Sequence, residues 1–300
     1  MSFFITNLIL SAHINEIVNP KIMRKSIYPS IWFDGQAKEA AEFYISAFGK
    51  GRILDENPIV VAFQLHDQQF IGINGGDQFR PNASISFMLV GESPQEIDTL
   101  WKQLAADGSI MMPLDSYPWS AYYGWVADRY GVNWQLYLGK LDDVNNHKIV
   151  PTLMFSHSQQ GRCEQALHFY SNVFADFRPY DFLRYTEGAF SGQIQHTQFN
   201  VQDILLMAMD SEVPQDFSFT EGVSLVLECQ DQGEIDYYWN AFTKDGEESM
   251  CGWCKDPFGV SWQVIPHNLK QLIFDTPNAA NASQSLRQMK KIEIATLINA

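Results

Sequence analysis

The chain carries one stretch twice, as Gly131-Val-Asn-Trp-Gln135 and as Gly259-Val-Ser-Trp-Gln263. In each copy the glycine comes three residues after an aspartate, Asp128 in the first copy and Asp256 in the second. A match of this kind, held at the same distance from the same residue type, indicates an internal duplication. The extent of that duplication decides the fold.

The beginning of each copy recurs as well. Tyr28-Pro-Ser-Ile-Trp-Phe33 stands far upstream of the first stretch and Val150-Pro-Thr-Leu-Met-Phe155 upstream of the second, and a Phe-Tyr pair follows each. Because beginning, middle and end repeat in the same order, residues 27–140 and 149–271 are predicted to be two copies of one domain. The polar, charged segment 141–148 between them is predicted to be a linker.

Each copy is predicted to contain two βαβββ modules, which makes the chain an α+β protein of four modules. Short runs rich in β-branched and aromatic residues predict the strands, and apolar residues at intervals of three and four predict the helices. These helices are expected at 36–48, 94–106, 162–174 and 233–244. In the C-terminal segment 277–298, the amphipathic stretch from Ser285 to Leu297 predicts one further helix.

Composition excludes several classes of function. The 300 residues carry a formal net charge of −15, which repels nucleic acid and anionic membrane surfaces. Hydrophobic residues make up 46% of the chain, as in a folded globule, but no run is long enough for a membrane span. The four cysteines are too few for a disulfide framework. Reduced thiols and a cytoplasmic location are therefore expected.

The first 26 residues are predicted to be an N-terminal extension. The apolar segment from Phe3 to Leu10 lacks a basic region before it and contains Asn7, so it makes a poor signal peptide. The charged Met23-Arg-Lys-Ser26 directly precedes the first strand. We therefore expect translation to start at Met23.

Several motifs together resemble the PhnB-like proteins. They are Trp32-Phe-Asp-Gly-Gln-Ala37, Ile73-Asn-Gly-Gly76, Cys251-Gly-Trp253, Asp256-Pro-Phe-Gly-Val-Ser-Trp-Gln-Val264 and Gln288-Met-Lys-Lys-Ile-Glu-Ile294. That family belongs to the vicinal oxygen chelate superfamily of glyoxalases, bleomycin resistance proteins and dioxygenases, and its members often carry the name 3-demethylubiquinone-9 3-methyltransferase. The resemblance implies paired βαβββ modules whose curved mixed sheets surround a cleft in each domain. It also implies an intrachain pseudo-dimer, and leaves a homodimer of whole chains open.

The resemblance also allows a test for a metal site. Metal-using relatives place His or Gln on the first strand of a module and Glu on the last, around one divalent ion. The corresponding positions here fall near Tyr28 and Val150, at Gln135 and Gln263, at Gly72 and Leu206, and at Ser84 to Ser86 and Val223 to Ser224. Divalent ions prefer carboxylates, imidazoles or thiolates over amides and hydroxyls. No metal and no other cofactor is therefore expected.

Polar and aromatic residues on the predicted strands are candidates for ligand binding. In the last strand of the first copy, Val132 and Trp134 share one face, whereas Asn133 and Gln135 share the other, as Ser261 and Gln263 do in the second copy. The amides either bind a ligand or tie strands together, and the tryptophans, Trp119 included, either stack on a ligand or pack in the core. The candidate ligand-binding residues are Trp32, Gln64, Asn74, Trp125, Asn133, Gln135, His196, Gln198, Cys251, Trp253, Ser261 and Gln263.

Two further motifs could carry chemistry. His196 is the candidate catalytic residue, a general acid or base, and the alternative is a hydrogen-bonded structural histidine. The first copy has Ala62 at the aligned position. Cys251-Gly-Trp-Cys254 has the spacing of a redox or metal motif, but in a strand this spacing sends the two thiols to opposite faces. Cys251 alone is therefore expected to line the cleft.

These observations lead to three hypotheses about function. The first is a protein that binds a small, planar molecule without a divalent metal. The second is an enzyme of the superfamily, an isomerase, lyase or dioxygenase. The third is a structural paralogue in which one copy has lost its ligand and only supports the other, and the second copy, with His196, Gln198 and Cys251, is the one expected to keep it. Methyl transfer is not expected, because no helix begins after Asn74-Gly-Gly76 and a methyl donor usually binds a parallel α/β sheet with a glycine-rich turn.

Overall fold

The computed structural model describes residues 26–300, so the predicted start at Met23 lies outside the described residues. The strands of the first repeat are β1 (Ile27–Phe33), β2 (Gly51–Glu56), β3 (Val60–Leu65), β4 (Gln68–Asn74), β5 (Ile85–Gly91), β6 (Ser109–Tyr117), β7 (Ser120–Ala127) and β8 (Asn133–Leu138). Those of the second are β9 (Ile149–Phe155), β10 (Arg178–Arg184), β11 (Ile194–Val201), β12 (Ile204–Asp210), β13 (Val223–Cys229), β14 (Glu247–Glu248), β15 (Trp253–Lys255) and β16 (Ser261–Pro266).

The helices follow the predicted order. They are α1 (Ala37–Phe48), α2 (Pro94–Leu104), α3 (Cys163–Val173), α4 (Gln232–Thr243), α5 (Leu269–Ile273), α6 (Ala279–Gln288) and α7 (Ile294–Ile298). A short 3₁₀ turn, Leu141–Val144, lies in the linker, and another, His157–Gln159, follows β9. None of the helices within residues 26–300 has both the length and the apolar surface to cross a membrane.

The strands form two mixed sheets of eight strands each. Sheet 1 has the order β14-β15-β16-β13-β1-β4-β3-β2, and sheet 2 has the order β10-β11-β12-β9-β5-β8-β7-β6. The predicted α+β fold of four βαβββ modules is confirmed. Each sheet, however, combines one module of the first repeat with one of the second, through the antiparallel pairs β1–β13 and β5–β9. The resemblance implied a cleft in each domain, but each sheet belongs to both repeats.

The repeated stretch has a structural role in the core. The carboxylate of Asp256 accepts hydrogen bonds from the Tyr170 hydroxyl (2.7 Å), the Trp262 indole (3.0 Å) and two backbone amides. In the first repeat Asp128 accepts the same bonds from Tyr44 (2.7 Å) and Trp134 (2.8 Å). Burial raises the pKa of Asp256 to about 6 despite these four donors. The aspartate therefore ties the last strand of a repeat to the first helix of that repeat.

The C-terminal segment differs from the prediction. The single helix from Ser285 to Leu297 is wrong, because α6 ends at Gln288 and α7 begins only at Ile294. Between them the carbonyls of Met289 and Lys290 accept hydrogen bonds from the backbone N–H groups of Cys251 (2.7 Å) and Gly252 (2.8 Å). These pairings hold the backbone extended, which a continuous helix could not allow.

Candidate functional site

The face of each sheet that points away from helices α1 to α4 is called its inner face. Alternate residues of β13, from Val223 to Cys229, join the core beneath the helices. Because successive side chains of a strand point to opposite faces, Ser224, Val226 and Glu228 belong to the inner face. The same alternation puts Tyr28, Ser30 and Trp32 of β1 on that face.

Three serines lie side by side on the inner face of sheet 1, and we call them the serine row. Ser30 of β1 is the register partner of Ser224 of β13. The pairing of Leu225 with Trp262 in the neighbouring parallel pair puts Ser261 of β16 beside Ser224. All three are buried, with exposures of 1% for Ser30, 0% for Ser224 and 1% for Ser261.

The hydrogen bonding of the serine row is incomplete. The Ser224 hydroxyl accepts a hydrogen bond from the Gln263 amide at 3.0 Å. Within residues 26–300, the hydroxyls of Ser30 and Ser261 have no hydrogen-bond partner. An unpartnered buried polar group costs about 1–3 kcal/mol, so native proteins keep few of them without a functional reason. Ser30 was not among the residues singled out from the sequence, although its position between Tyr28 and Trp32 on one face of a strand was a usable signal.

Aromatic side chains border the serine row. Trp253 of β15 is the register partner of Gln263, and the ring centroids of Trp32 and Trp253 are 6.0 Å apart in an edge-on arrangement. Phe79 approaches Trp32 from another side at 5.1 Å. The Trp32 indole donates a hydrogen bond to the carbonyl of Gly76 at 2.8 Å, which fixes the ring. Trp32, Trp253, Ser261 and Gln263 of the predicted set are thus brought together in sheet 1.

The equivalent row of sheet 2 is complete in its hydrogen bonds. Ser86 of β5 pairs with Thr152 of β9 and with Asn133 of β8. The Ser86 hydroxyl accepts a hydrogen bond from Gln135 at 2.7 Å, and the Thr152 hydroxyl donates to the carbonyl of Val150 at 3.4 Å. Polar side chains in this row therefore connect neighbouring strands.

The remaining polar atoms of Gln135 and Asn133 are also engaged. The Tyr123 hydroxyl donates to Gln135 at 2.7 Å, and the Trp125 indole donates to Asn133 at 3.1 Å. Asn133 itself donates to the carbonyl of Gly131 at 3.1 Å. Around them an apolar cluster of Met88, Val90, Tyr123, Val144, Val150, Leu205 and Met207 fills the inner face. Gln135, Asn133 and Trp125 thus follow the alternative in which such residues hold strands together.

His196 and Gln198 lie at the other end of sheet 2, in a cavity of about 360 Å³ that Asp143 and Tyr180 also line. Burial lowers the pKa of His196 below its ordinary value of 6.5, so the imidazole is neutral at neutral pH. Among the described residues neither ring nitrogen has a hydrogen-bond partner. The structure does not provide the partner that a hydrogen-bonded structural histidine requires.

Three predicted site residues lie apart from the serine row. Asn74 accepts a hydrogen bond from the backbone N–H of Ala37 at 2.9 Å and donates to the carbonyl of Pro58, so it holds the start of α1 and does not face the cleft. Gln64 is on the inner face of sheet 1, but it belongs to β3, which β4 separates from β1 and Ser30. Cys251 lies in the turn before β15 with a positive φ of 60°.

The polar residues of the second repeat are divided between the two sheets. His196 and Gln198 are in sheet 2, whereas Cys251 lies beside sheet 1. Cys254 is buried in the core beneath the helices, whereas Cys251 is half-buried in the turn before β15 and not in the strand that was expected to separate the two thiols. The polar residues that favoured the second copy are therefore not brought together in one place.

The inner faces do not fit a divalent metal ion. Two of the predicted ligand positions, Gly72 and Leu206, belong to the helix side: a Cβ on Gly72 would lie 3.0 Å from Ala37, and Leu206 is part of the core. The centre of sheet 1 offers the hydroxyls of the serine row, the Gln263 amide and the single carboxylate of Glu228, and the centre of sheet 2 offers hydroxyl, amide and thioether groups; neither set supplies the several anionic or imidazole ligands that a divalent ion prefers. No group of three His, Cys, Asp or Glu residues within residues 26–300 could hold a metal.

A second hollow, of about 570 Å³, lies among the helices and not on an inner face. The Arg129 guanidinium there packs over the Phe43 ring at 4.8 Å and lies 3.6 Å from Asp107. None of the predicted site residues lines this hollow. Its size therefore does not make it the candidate site.

The comparisons with known proteins agree with the fold. The model of the family described as 3-demethylubiquinone-9 3-methyltransferase matches twice, at residues 25–137 and 147–265. A solved PhnB protein from Bacillus cereus, a "putative 3-demethylubiquinone-9 3-methyltransferase", is 36% identical and covers 38% of this chain and 100% of its own, with a TM-score of 0.37.

Of two structures with lower sequence identity, one extends over a larger part of the chain. Glyoxalase I from Zea mays is 10% identical and covers 80% of this chain and 93% of its own, with a TM-score of 0.52. A glyoxalase-related enzyme from Fulvimarina pelagi is 21% identical and covers 37% and 86%, with a TM-score of 0.30. No curated protein matches. Since the two family matches together cover most of the sequence, the chain belongs to the PhnB-like family described as 3-demethylubiquinone-9 3-methyltransferase, in a tandem arrangement.

Proposed function

We propose that the chain binds a small, planar, uncharged molecule on the inner face of sheet 1 without a divalent metal ion. The observation that carries this proposal is the pair of buried, unpartnered hydroxyls of Ser30 and Ser261. A ligand with oxygen or nitrogen atoms on its edge would satisfy both and recover the free energy that their burial costs.

The surroundings of the serine row support a planar ligand without charge. Trp32 and Trp253 offer aromatic surface on which a flat molecule can pack. Lys255, the register partner of Ser261, is already paired with Glu221 at 3.1 Å, so its charge is compensated within the protein. The Glu228 carboxylate on the same face accepts a hydrogen bond from the Tyr28 hydroxyl at 2.8 Å, so the serine row itself offers hydrogen bonds rather than an ionic partner.

Sheet 2 is proposed to have a supporting role. Its central amides bind neighbouring strands and apolar side chains fill the centre of its inner face, so its unpartnered polar groups lie away from the centre, at His196. Because both sheets are completed within one chain, the intrachain pseudo-dimer that we propose needs no second copy.

Alanine substitutions in the serine row test the proposal. Ser30→Ala and Ser261→Ala should leave the free energy of unfolding unchanged or raise it by up to about 1 kcal/mol, because an unpartnered hydroxyl is removed. The same variants should weaken binding of a planar probe such as 2-naphthol, followed by tryptophan fluorescence, roughly tenfold, as expected for a lost buried hydrogen bond.

Ser86→Ala in sheet 2 is the matched control. It removes the partner of Gln135, so it should lower stability without changing the affinity for the probe. If the serine-row variants bind 2-naphthol as well as the parent does, the proposed site is wrong.

An enzymatic function is the second candidate, and the neutral imidazole of His196 in its cavity is the observation that favours it. A neutral imidazole without a partner can take a proton from a substrate. The rate of such a reaction should rise with pH through a value below 6.5, and the His196→Gln variant should lose that inflection. We do not propose methyl transfer, because the connections that follow β1 and β5 lack the glycine-rich turn of nucleotide-type sites.

A further inference from the structure

A second group of unpartnered polar side chains lies near one edge of sheet 2. His196 and Gln198 of β11 line a cavity of about 360 Å³ beside the edge strand β10. Both belong to the inner face, because Phe199 and Val201 of the same strand alternate with them and join the core beneath the helices. Within residues 26–300 neither side chain has a hydrogen-bond partner. The cavity therefore has a capacity for hydrogen bonds that the protein itself does not use.

The edge strand β10 is irregular where it borders this cavity. The register of its pairing with β11 shifts there, so that Tyr180 and Asp181 together lie opposite Gln198. A bulge of this kind changes the direction of side chains and often lies beside a binding site. The Tyr180 hydroxyl donates a hydrogen bond to Asn200 at 2.9 Å, which fixes the ring as one wall of the cavity. Asp181 lines the cavity from the same bulge.

The linker forms another wall. Val144 of the turn Leu141–Val144 is buried in the apolar cluster of sheet 2, and the Asn145 side chain donates a hydrogen bond to Asn200 at 3.3 Å. These contacts hold the turn in place, and Asp143 of the turn lines the cavity. Two carboxylates thus reach one cavity from two separate segments of the chain.

The cavity contains these two carboxylates without a compensating cation. Within residues 26–300, neither Asp143 nor Asp181 forms an ion pair, and no lysine or arginine lines the cavity. The arginines at the two ends of β10 do not line it, and one of them, Arg184, is paired with Glu164 at 2.7 Å. Burial lowers the pKa of His196 below its ordinary value of 6.5, so the imidazole adds no positive charge at neutral pH.

The corresponding corner of sheet 1 contains an ammonium group. Its edge strand is β2, the equivalent of β10, and α5 follows the last strand of its repeat as the linker follows β8. The Lys270 ammonium of α5 lies 2.8 Å from the carboxylate of Asp55 on β2. Sheet 1 therefore places a cation of the chain against the edge carboxylate, whereas the linker of sheet 2 brings a second carboxylate. In sheet 2 a ligand can supply the positive charge instead.

We propose that the cavity beside β10 binds a small organic cation, an amine whose ammonium group lies between Asp143 and Asp181 and whose apolar body packs on Tyr180. The side-chain oxygen of Gln198 and a ring nitrogen of His196 can each accept a hydrogen bond from such a group. The Tyr180 ring adds a favourable cation–π contact. This site is separate from the serine row, and the proposal does not depend on the uncharged ligand proposed there.

Three probes of nearly the same shape but different charge test the class of ligand. Benzylamine is a cation at neutral pH, benzyl alcohol is neutral and benzoate is an anion. Isothermal titration calorimetry should give benzylamine an affinity at least about tenfold higher than that of benzyl alcohol, and no binding of benzoate. Equal affinities for benzylamine and benzyl alcohol, or the absence of benzylamine binding, would overturn the proposal.

Substitutions of the two carboxylates test the place. Asp143→Asn and Asp181→Asn should each weaken benzylamine binding roughly three- to tenfold, because each removes one of the two attractive charges. Asp142→Asn is the matched control, since it removes the same charge from the same turn at an exposed residue that does not line the cavity. It should leave the affinity nearly unchanged. A loss as large as that of Asp143→Asn would show a general effect of charge and contradict the site.

Gln198→Lys tests the comparison with sheet 1. It introduces an ammonium group of the chain into the cavity, as Lys270 does beside Asp55, and should abolish benzylamine binding. Circular dichroism and thermal unfolding of this variant establish that it is folded, and benzylamine binding retained by the folded variant would overturn the proposal. The affinity for 2-naphthol, the probe of the serine row, should not change.

Two further measurements separate this site from the alternatives. Ser30→Ala should leave benzylamine binding unchanged, and a loss in that variant would place the amine at the serine row and reject the cavity. Calcium chloride should weaken benzylamine binding no more than sodium chloride of equal ionic strength, because both then act by screening alone. Specific displacement by calcium would assign the two carboxylates to a divalent ion and overturn the proposal.

Discussion

Ser30 and Ser224 are direct register partners in the antiparallel pair of β1 and β13, the pair that joins the two repeats in sheet 1. The equivalent partners in sheet 2 are Thr152 and Ser86. Gene duplication has thus produced two sheets with small hydroxyl side chains at the junction. They differ in that the hydroxyls of Ser86 and Thr152 are both partnered, whereas those of Ser30 and its neighbour Ser261 are not.

The two equivalent glutamines should respond differently to truncation. Gln135→Ala removes buried hydrogen bonds to Ser86 and Tyr123 and should lower the free energy of unfolding by about 2–3 kcal/mol. Gln263→Ala removes one bond, to Ser224, and should cost about 1 kcal/mol while weakening probe binding. Urea unfolding of both variants checks this order. Equal losses of stability would show that Gln263 in sheet 1 is as fully hydrogen-bonded as Gln135 in sheet 2.

Stability should depend on pH through Asp256. Its pKa of about 6 in the folded protein exceeds the ordinary value of 3.8, so between these values the folded state binds the proton more tightly than the unfolded chain does. The contribution of Asp256 to the free energy of unfolding is therefore greatest below about pH 4, falls as the pH rises to about 6, and is constant above. Asp256→Asn should remove this fall.

The measurement is urea unfolding of parent and variant at several pH values from 4 to 7. The difference in unfolding free energy between the two proteins isolates Asp256 from the other carboxylates, since they are common to both. A difference that does not change over this range would contradict the raised pKa.

The linker should contribute to stability through Val144. This side chain is 4% exposed within the apolar cluster of sheet 2. Val144→Ala should therefore cost about 1–3 kcal/mol in the free energy of unfolding, because it leaves a cavity in that cluster. The exposed neighbour Asn146 serves as control, and Asn146→Ala should change stability little. Thermal unfolding of both variants tests whether the linker is a structural part of sheet 2 or a passive connection.

The repeat made the architecture predictable, but not the pairing of its parts. The alternation of Asn133 and Gln135 with Trp134 identifies the two faces of β8, and the structure agrees. Alternation does not indicate which strand lies alongside, so the exchange of modules between the repeats could not be derived. The four-module pattern implies the edge strands β2 and β10, but their own residues do not indicate where they lie, because most of them are exposed and carry no apolar pattern.

The candidate site was predicted in part. Trp32, Trp253, Ser261 and Gln263 lie together on the inner face of sheet 1, but Ser30 was overlooked because a single serine among apolar residues carries no motif. The prediction for Asn74 was wrong because this residue ends a strand, and its side chain accepts a hydrogen bond at the start of α1 instead of facing the cleft. Gln135 and Gln263 differ in their hydrogen bonding because the Tyr123 hydroxyl donates to Gln135. The position equivalent to Tyr123 in the second repeat is Cys251.

The most direct test is native mass spectrometry combined with elemental analysis of the protein purified without chelators. The account predicts a bound small molecule that is lost when Ser30→Ala and Ser261→Ala are combined, with manganese, iron, nickel and zinc all far below one atom per chain. A divalent metal at one atom per chain, or a bound molecule that survives the double substitution, would contradict it.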